Sequence, residues 1–146
     1  EPVGLMFFGD PHVDSPQCDW PELRRCVNIC QQTEGMRGVS LGDHTDNWIG
    51  RLQAEYAKSE ATAKQGWQLA DWFIKSIDPL LIIRGNHDAW SGSGDPLEYI
   101  RGVGHLYEKW KALVELRWPN GRTAMLDIAH DHVGSSQFHP LHGQVR

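Results

Sequence analysis

The sequence is poor in cysteine, in basic charge and in long apolar runs, and each shortage excludes a class of protein. Its 146 residues include three cysteines, Cys18, Cys26 and Cys30, with no C-x-x-C pair. A disulfide framework and a thiolate zinc knuckle are therefore not favoured, and we expect a reducing, cytoplasmic setting. The 19 acidic residues outnumber the 14 basic ones, giving a net charge of -5. Nucleic-acid-binding proteins usually carry a basic face instead.

The apolar runs are all short. None is long enough to span a membrane, and the first is too short for a secretory signal peptide, so we expect neither. With 40% hydrophobic and 23% charged residues, the composition predicts one globular domain over residues 1–146.

Short apolar runs that end in metal-ligating residues are the main feature of the sequence. Residues 80–83, with the sequence Leu-Leu-Ile-Ile, lead through Gly85 into Asn86, His87 and Asp88. Such a run is typical of a strand buried on both faces of a parallel sheet, and open α/β sheets bind ligands beyond the carboxyl ends of their strands. Three further runs end in the same way, at residues 5–8 before Asp10 and His12, 39–41 before Asp43 and Asp46, and 126–129 before His130.

Helical segments alternate with these strands. Asp19 and Pro21 have the cap and first-turn preferences of a helix, and apolar residues at threes and fours predict a long helical tract over 51–77. Asp95 and Pro96 open a short helix. Residues 110–118 and 122–129 flank a Pro-Asn-Gly turn and predict a β-hairpin. We therefore predict an α/β fold, a mixed β-sheet with flanking helices.

Five side chains at the strand ends are candidate metal ligands: Asp10, His12, Asp43, Asn86 and His130. Oxygens and imidazole nitrogens without thiolate suit Mn²⁺, Fe or Zn²⁺. A single catalytic Zn²⁺ needs only about three protein ligands, so five candidates favour two cations. Two cations ~3.5–4 Å apart can hold the attacking and leaving oxygens of an in-line displacement at phosphorus, and a carboxylate, Asp43, could bridge them.

Some neighbouring side chains have a plainer interpretation that the sequence leaves open. Asp46 can cap the following helix instead of serving the site. His44 can be a donor behind the ligands or a solvated loop residue. His132 competes with His130 as a ligand, and we prefer His130 because it comes first after the apolar run.

Taken in order, the motifs resemble those of the calcineurin-like metallophosphoesterase superfamily. Its blocks are Asp-x-His, Gly-Asp-x-x-Asp, Gly-Asn-His-Asp or Gly-Asn-His-Glu, a lone His after a strand, and a late Gly-His-x-His. The first four occur here as Asp10-Pro11-His12, Gly42-Asp43-His44-Thr45-Asp46, Gly85-Asn86-His87-Asp88 and His130. Residues 47–52, 85–90 and 134–136 also resemble a bacteriophage-type branch of the superfamily.

The resemblance implies a dinuclear metal centre in an α/β/β/α sandwich. Asp10 and His12 would bind the first metal and Asp43 would bridge the pair. Asn86 and His130 would bind the second metal. Mn²⁺ is the metal that we expect first, with Fe or Zn²⁺ as alternatives.

The resemblance also implies the chemistry. His87 would contact the phosphate and protonate the leaving oxygen, oriented by Asp46, while a metal-bridging hydroxide attacks phosphorus. The predicted function is metal-dependent phosphoester hydrolysis, by a phosphatase or phosphodiesterase whose substrate is a small molecule or a nucleic acid. Two alternatives stay open: a nuclease of the DNA-repair type in the same superfamily, and a catalytically inactive phosphate- or metal-binding module.

The sequence departs from the superfamily pattern at two points. The late Gly-His-x-His is missing, because His139 and His142 have another spacing, so we expect a domain that lacks its C-terminal portion. Without that portion the hairpin should expose an apolar patch that includes Trp118 and Leu126. Protein phosphatases of the superfamily carry a phosphate-gripping arginine where this chain has Asn47, which argues against protein phosphatase activity.

Overall fold

A four-stranded parallel sheet forms the centre of the fold. The computed structural model describes residues 3–90, 94–102 and 104–131. The strands are hydrogen-bonded in the order β1 (Gly4–Phe8), β2 (Met36–Ser40), β3 (Pro79–Ile83) and β4 (Leu106–Glu108). Phe8 pairs with Ser40, and Ser40 pairs with Ile82, so the carboxyl ends of three strands lie at one edge. The predicted α/β class is confirmed.

Helices cover one face of this sheet. They are α1 (Trp20–Gln32), α2 (Ala63–Ile77) and the short α3 (Pro96–Ile100). Asp19 caps α1 as predicted, because its carboxylate accepts a hydrogen bond from the Glu22 amide at 3.1 Å. The apolar sides of α1 and α2 pack with the sheet into one core, in which the rings of Phe8 and Phe73 meet edge to face at 5.3 Å.

The predicted hairpin covers the other face. Strands β5 (Lys111–Arg117) and β6 (Thr123–Ala129) pair antiparallel. Their inward side chains, Ala112, Val114, Leu126 and Ile128, pack with Val39, Leu81 and Ile83 of the parallel sheet. The described residues therefore form helix, sheet and hairpin layers, three of the four layers that the resemblance implies.

The predicted apolar patch on the hairpin is wrong for Leu126, which faces the interior, whereas Trp118 is 46% exposed. Strand alternation accounts for the difference, since residues of one strand two apart share a face and Leu126 shares its face with Ile128. The outward face also carries ion pairs, such as Lys111 with Asp127 at 2.8 Å.

The helical tract predicted over 51–77 is two elements. A 3₁₀ helix spans Gly50–Lys58, and α2 begins only at Ala63. Thr62 and Gln65 form a capping box, in which each side chain accepts a hydrogen bond from the other residue's backbone amide. A capping box satisfies amides that have no partner in the first helical turn, so it fixes a helix start inside the apolar pattern.

Strand β4 was not predicted. Its three residues have an exposed, intermediate, exposed pattern, which is too short to give a period. None of the helices in the described part of the chain is long and apolar enough to cross a membrane. The predictions for His132, His139 and His142 lie outside the described residues.

Candidate metal centre

The candidate ligands lie together at the carboxyl edge of the sheets. Asp10 and His12 follow β1, Asp43 follows β2, Asn86 follows β3 and His130 follows β6. The hairpin brings in His130, whose backbone amide donates to the Trp110 carbonyl at 3.2 Å. Ligands from four strand ends thus reach one site across two sheets.

Asp43 lies at the centre of this site. Its Oδ2 atom is 3.6 Å from His130 Nε2, 3.7 Å from His12 Nε2 and 4.0 Å from His87 Nε2. These separations are too long for hydrogen bonds. Ligand atoms that share a cation at ~2.0–2.2 Å would lie about this far apart, so the arrangement fits metal binding.

Two groups of potential ligands share Asp43. One contains His12 and His87, and the other contains Asp10 and His130, with the ligand atoms of each group within 4.8 Å of one another. Asn86 Oδ1 joins the second group, because it lies 2.9 Å from His130 Nε2. The donor set of carboxylate, amide and imidazole fits two cations of the Mn²⁺, Fe or Zn²⁺ type.

The grouping differs in two respects from the assignment that the resemblance implies. Asp10 lies with His130 and Asp43, in a group whose ligand atoms are within 4.8 Å of one another, rather than with His12. His87 lies close enough to Asp43 to bind the same metal ion, although the resemblance implies that it is a proton donor. The structure thus brings all five predicted ligands to the site and adds His87 to them.

Hydrogen bonds from behind fix which histidine nitrogen faces the site. His130 Nδ1 contacts the Leu41 carbonyl at 2.7 Å, and His87 Nδ1 contacts the Asp46 carbonyl at 2.6 Å. A carbonyl can only accept, so each Nδ1 carries the hydrogen and each Nε2 is directed at Asp43. This is the usual way in which a second contact orients a ligating imidazole.

The backbone of the site is held in an unfavourable conformation. Asp10, His12 and Asp43 have φ angles of 48°, 37° and 52°, in the left-handed region that costs non-glycine residues about 1–3 kcal/mol each. The His12 amide donates to the Asp43 carbonyl at 3.1 Å, which ties two of these residues together. Strain of this kind clusters at functional sites, where the surrounding structure enforces it.

Two glycines allow the loops after β2 and β3 to meet behind Asp43. A Cβ atom on Gly85 would overlap the Asp43 carboxylate, and one on Gly42 would overlap the Gly85 backbone. Gly42 also has a φ of 98°, which side chains rarely allow. Both positions therefore require glycine.

Asp88 is a functional residue that sequence reasoning missed. It is fully buried, and its carboxylate accepts hydrogen bonds from the amides of Asp43, His44 and Gly85 at 2.9–3.0 Å. His44 Nδ1 lies 3.0 Å from the same carboxylate. Burial alone would raise the pKa of Asp88, but His44 and the amides outweigh it and lower the pKa to about 2. The charged carboxylate thus ties the loops together.

The sequence left the role of His44 open, and in the structure His44 is a buried residue that donates to Asp88. It is 0% exposed, and its Nε2 lies 2.7 Å from the Ser40 hydroxyl. The only sequence signal for Asp88 was its place in the Gly85-Asn86-His87-Asp88 block, because Asp43 and His44, which supply most of its contacts, lie more than 40 residues away in the chain.

The comparisons with known proteins agree with this geometry. The family model for calcineurin-like phosphoesterases matches residues 4–145. The chain belongs to this family. The fold and candidate ligands of a calcineurin-like phosphoesterase, a family of metal-dependent hydrolases, are thus present here. Comparison with curated proteins and with solved structures gives no significant match.

His87 of this calcineurin-like phosphoesterase is enclosed by aromatic rings. Trp90 stacks on it with a centroid distance of 3.9 Å, and Trp48 and His12 approach it edge to face at 5.3 and 4.8 Å. Asn47 Nδ2 donates to the His87 carbonyl at 2.7 Å. The ring and backbone of His87 are therefore both held in place.

Asp46 contacts both histidines on this side of the site. Its backbone carbonyl, rather than its carboxylate, orients His87, whereas its Oδ1 lies 2.8 Å from His12 Nδ1 at an angle unsuited to a hydrogen bond. The Asp46 amide in turn donates to Asp14 Oδ1 at 2.7 Å. Asp46 thus orients His87 through its backbone carbonyl, and Ile49, not Asp46, is the N-cap of the following 3₁₀ helix.

Asp14 is a buried carboxylate that holds the backbone of Asp46 in place. It is 5% exposed, its Oδ2 has no hydrogen-bond partner among the described residues, and burial raises its pKa. Gly66 of α2 packs against this carboxylate, because a Cβ there would lie 2.6 Å from Asp14 Oδ2. Helix α2 therefore packs closely against Asp14 because residue 66 is a glycine.

Gly66→Ala is expected to destabilise the protein by about 1–3 kcal/mol, because the added methyl group overlaps a buried carboxylate. In an unconstrained helix the same change would stabilise by about 1 kcal/mol. The measurement is denaturant unfolding followed by circular dichroism. Gly9→Ala is the control, since its Cβ would meet Leu41 at an ordinary 3.7 Å. A Gly66→Ala protein as stable as the parent would contradict the proposed contact.

A cleft of about 710 Å³ lies beside the candidate metal centre. Asp10, His12, Asp46 and His87 line it, together with residues of α1, of the 3₁₀ helix and of the loop between β1 and α1. A volume of this order suits a drug-sized ligand. The cleft thus has room for the organic part of a phosphoester.

Proposed function

We propose that this calcineurin-like phosphoesterase hydrolyses phosphoesters with two divalent metal ions, one on each side of Asp43. The observation that carries the proposal is that one carboxylate belongs to both groups of potential ligands. When bound, such a pair supplies an activated water and positive charge for the phosphoryl group. Asp10, Asn86 and His130 would hold one ion.

His12 would hold the other ion together with Asp43. His87 would donate a proton to the leaving oxygen, a role supported by its Nδ1 contact with the Asp46 carbonyl, which directs Nε2 into the site. Stacking on Trp90 restricts the ring plane. A proton donor whose orientation is fixed in advance contributes typically 10²–10⁴-fold to the rate.

We further propose that the metal is Mn²⁺, that the chain belongs to the bacteriophage-type branch and that it works in the cytoplasm. The mixed oxygen and nitrogen donor set supports Mn²⁺, the sequence around Asn47 supports the branch, and the three free cysteines support a reducing compartment. The substrate would be a phosphorylated small molecule, because the cleft has the volume of a small-ligand site and the net charge of -5 does not favour a nucleic acid.

The test is hydrolysis of p-nitrophenyl phosphate and of its bis ester by the purified chain. We expect release of p-nitrophenol that depends on added Mn²⁺ and stops with a chelator. His105→Asn is the control, because His105 contacts Arg101 and Asp78 away from the site and its replacement should leave the rate unchanged. Stoichiometric Mn²⁺ binding without hydrolysis of either ester would refute the enzyme and favour the inactive binding module.

A further inference from the structure

The orientation of His87 depends on its neighbours. The torsion that rotates an imidazole about its Cβ–Cγ bond has broad minima, so the side chain alone does not set the ring plane. The contact of Nδ1 with the Asp46 carbonyl at 2.6 Å holds one atom of the ring. Hydrogen bonds weaken steeply only at angles below ~120°, so the ring can still tilt about this contact. Other contacts are needed to keep Nε2 directed into the site.

Two tryptophans supply such contacts. Trp90 stacks on the His87 ring with a centroid distance of 3.9 Å and an angle of 28° between the planes. Trp48 meets the same ring edge to face at 5.3 Å, and its centroid lies 6.0 Å from that of Trp90. Stacked and edge-to-face pairs are the arrangements that aromatic rings prefer. Tilting of the His87 ring would therefore weaken both contacts.

A tight turn places Trp90 against His87. The Ala89 amide donates to the Asn86 carbonyl at 3.1 Å, and the Trp90 amide donates to the His87 carbonyl at 3.2 Å. Where the backbone makes bonds of this spacing, side chains three residues apart lie one above the other. The tryptophan thus comes from the same loop as the histidine that it contacts.

Trp48 comes from a different loop, the one after β2. The residue before it, Asn47, has a left-handed φ of 42°, a region that asparagine adopts more readily than most residues. Asn47 Nδ2 donates to the His87 carbonyl at 2.7 Å. This bond joins the loop to His87 and places Trp48 beside the ring. The two tryptophans therefore hold His87 from two loops.

We propose that Trp48 and Trp90 are positioning residues that keep His87 aimed at the leaving oxygen, an inference that rests on the proposed hydrolase function. The indole group is a hydrogen-bond donor only, so neither tryptophan would bind a cation. The effect of Trp90 on the rate would pass through His87. Trp48 also lines the cleft and can contact the substrate, so Trp90 is the better test of positioning.

The effect should depend on how much the leaving oxygen needs a proton. The oxygen of water bonds to phosphorus, the ester bond breaks, and the leaving oxygen takes a proton from His87, which regains one from the water. Phenol, with a pKa of ~10 like that of tyrosine, leaves less readily than p-nitrophenol, whose nitro group delocalises the negative charge. A misplaced His87 should therefore slow phenyl esters more than p-nitrophenyl esters.

The experiment measures kcat for phenyl and p-nitrophenyl phosphate esters in the parent and in Trp90→Leu, with saturating Mn²⁺. We expect kcat for the phenyl ester to fall about 10- to 100-fold, because a misplacement of about 1 Å can cost this much. The loss for the p-nitrophenyl ester should be at least about fivefold smaller. Metal content should not change. Trp90→Phe should restore most of the phenyl ester rate, because its ring can still stack.

Trp118→Leu is the matched control. Trp118 is 46% exposed in the turn of the hairpin, so its replacement should leave both rates unchanged. Trp48→Leu is a second variant, which should also slow the phenyl ester more than the p-nitrophenyl ester. It carries the test if Trp90→Leu does not fold.

A second measurement requires neither metal nor activity. In metal-free protein the ring current of Trp90 should shift the NMR signals of the His87 ring protons upfield, and their loss in His87→Asn assigns them. The shift should be largely lost in Trp90→Leu and should stay the same in Trp118→Leu.

The outcomes separate this inference from the proposed function. Equal losses for both esters, unchanged rates for both, or loss of metal in Trp90→Leu would each overturn the positioning role and leave the hydrolase intact. If the parent binds Mn²⁺ but hydrolyses neither ester, the proposed function fails, and His87 signals without an upfield shift would then show that the tryptophan contact fails as well. A larger loss with phenyl esters that Trp90→Phe restores supports the inference.

Discussion

Asp43→Asn is expected to prevent binding of both proposed metal ions and to abolish the proposed phosphoester hydrolysis. The amide can keep the bond that Asp43 Oδ1 accepts from the His87 amide at 2.9 Å. Asparagine also tolerates the left-handed φ of 52° at this position. The variant should therefore fold, yet it loses the charge shared by both groups of ligands. The measurements are elemental analysis after dialysis and the rate with bis(p-nitrophenyl) phosphate.

His87→Asn should behave differently, since we propose that His87 donates a proton to the leaving oxygen and does not bind a metal ion. Metal content should stay at the parent value while kcat falls typically 10²–10⁴-fold. Asp127→Asn is the control for loss of a carboxylate, because Asp127 lies on the outer face of the hairpin and pairs with Lys111. Equal metal loss in Asp43→Asn and His87→Asn would instead make His87 a ligand, as its 4.0 Å separation from Asp43 allows.

Asp88→Asn is expected to lower the free energy of unfolding by about 3 kcal/mol, because it removes the charge of a fully buried carboxylate that accepts four hydrogen bonds. The carboxylate accepts from three amides and His44 Nδ1, so an amide must turn its NH₂ group toward at least one donor. Denaturant unfolding of metal-free protein measures the loss without any contribution from bound ions.

Asp71→Asn is the control for this stability prediction. Asp71 forms an exposed pair with Lys75 four residues along α2, at 2.7 Å, and such pairs contribute only about 0.3–0.5 kcal/mol. If Asp88→Asn cost no more than Asp71→Asn, the buried carboxylate would not be what holds the loops after β2 and β3 together.

The sequence predicted those parts of the site that short-range pattern controls. A buried strand and a following turn are local features, so the positions of Asp10, Asp43 and Asn86 at strand ends could be inferred from apolar runs and glycines. The hairpin and the short helix at Pro96 had equally local turn and cap residues. The start of α2 was missed although Thr62 and Gln65 carried its capping box, because the apolar periodicity continued across it.

The other features of the site depend on contacts that cannot be predicted from the pattern of residue types along the chain. Asp88 bonds to backbone amides, and every residue except proline has one. Asp46 orients His87 through a carbonyl, which leaves no trace in residue type. The pairing of Asp10 with His130 depends on how the hairpin docks against the parallel sheet. These features require the three-dimensional structure.

Because His130 lies at the end of the hairpin, packing of the hairpin against the parallel sheet and binding of a metal ion would each favour the other. Among the described candidate ligands, His130 alone comes from the hairpin, and it reaches Asp43 only while Val114 and Ile128 stay packed against the parallel sheet. An ion that binds only the docked form stabilises that form by mass action. Weakening the packing at Val114 would thus lower the apparent affinity for one ion without touching a ligand. Metal concentration would in turn set the fraction of molecules with both sheets closed.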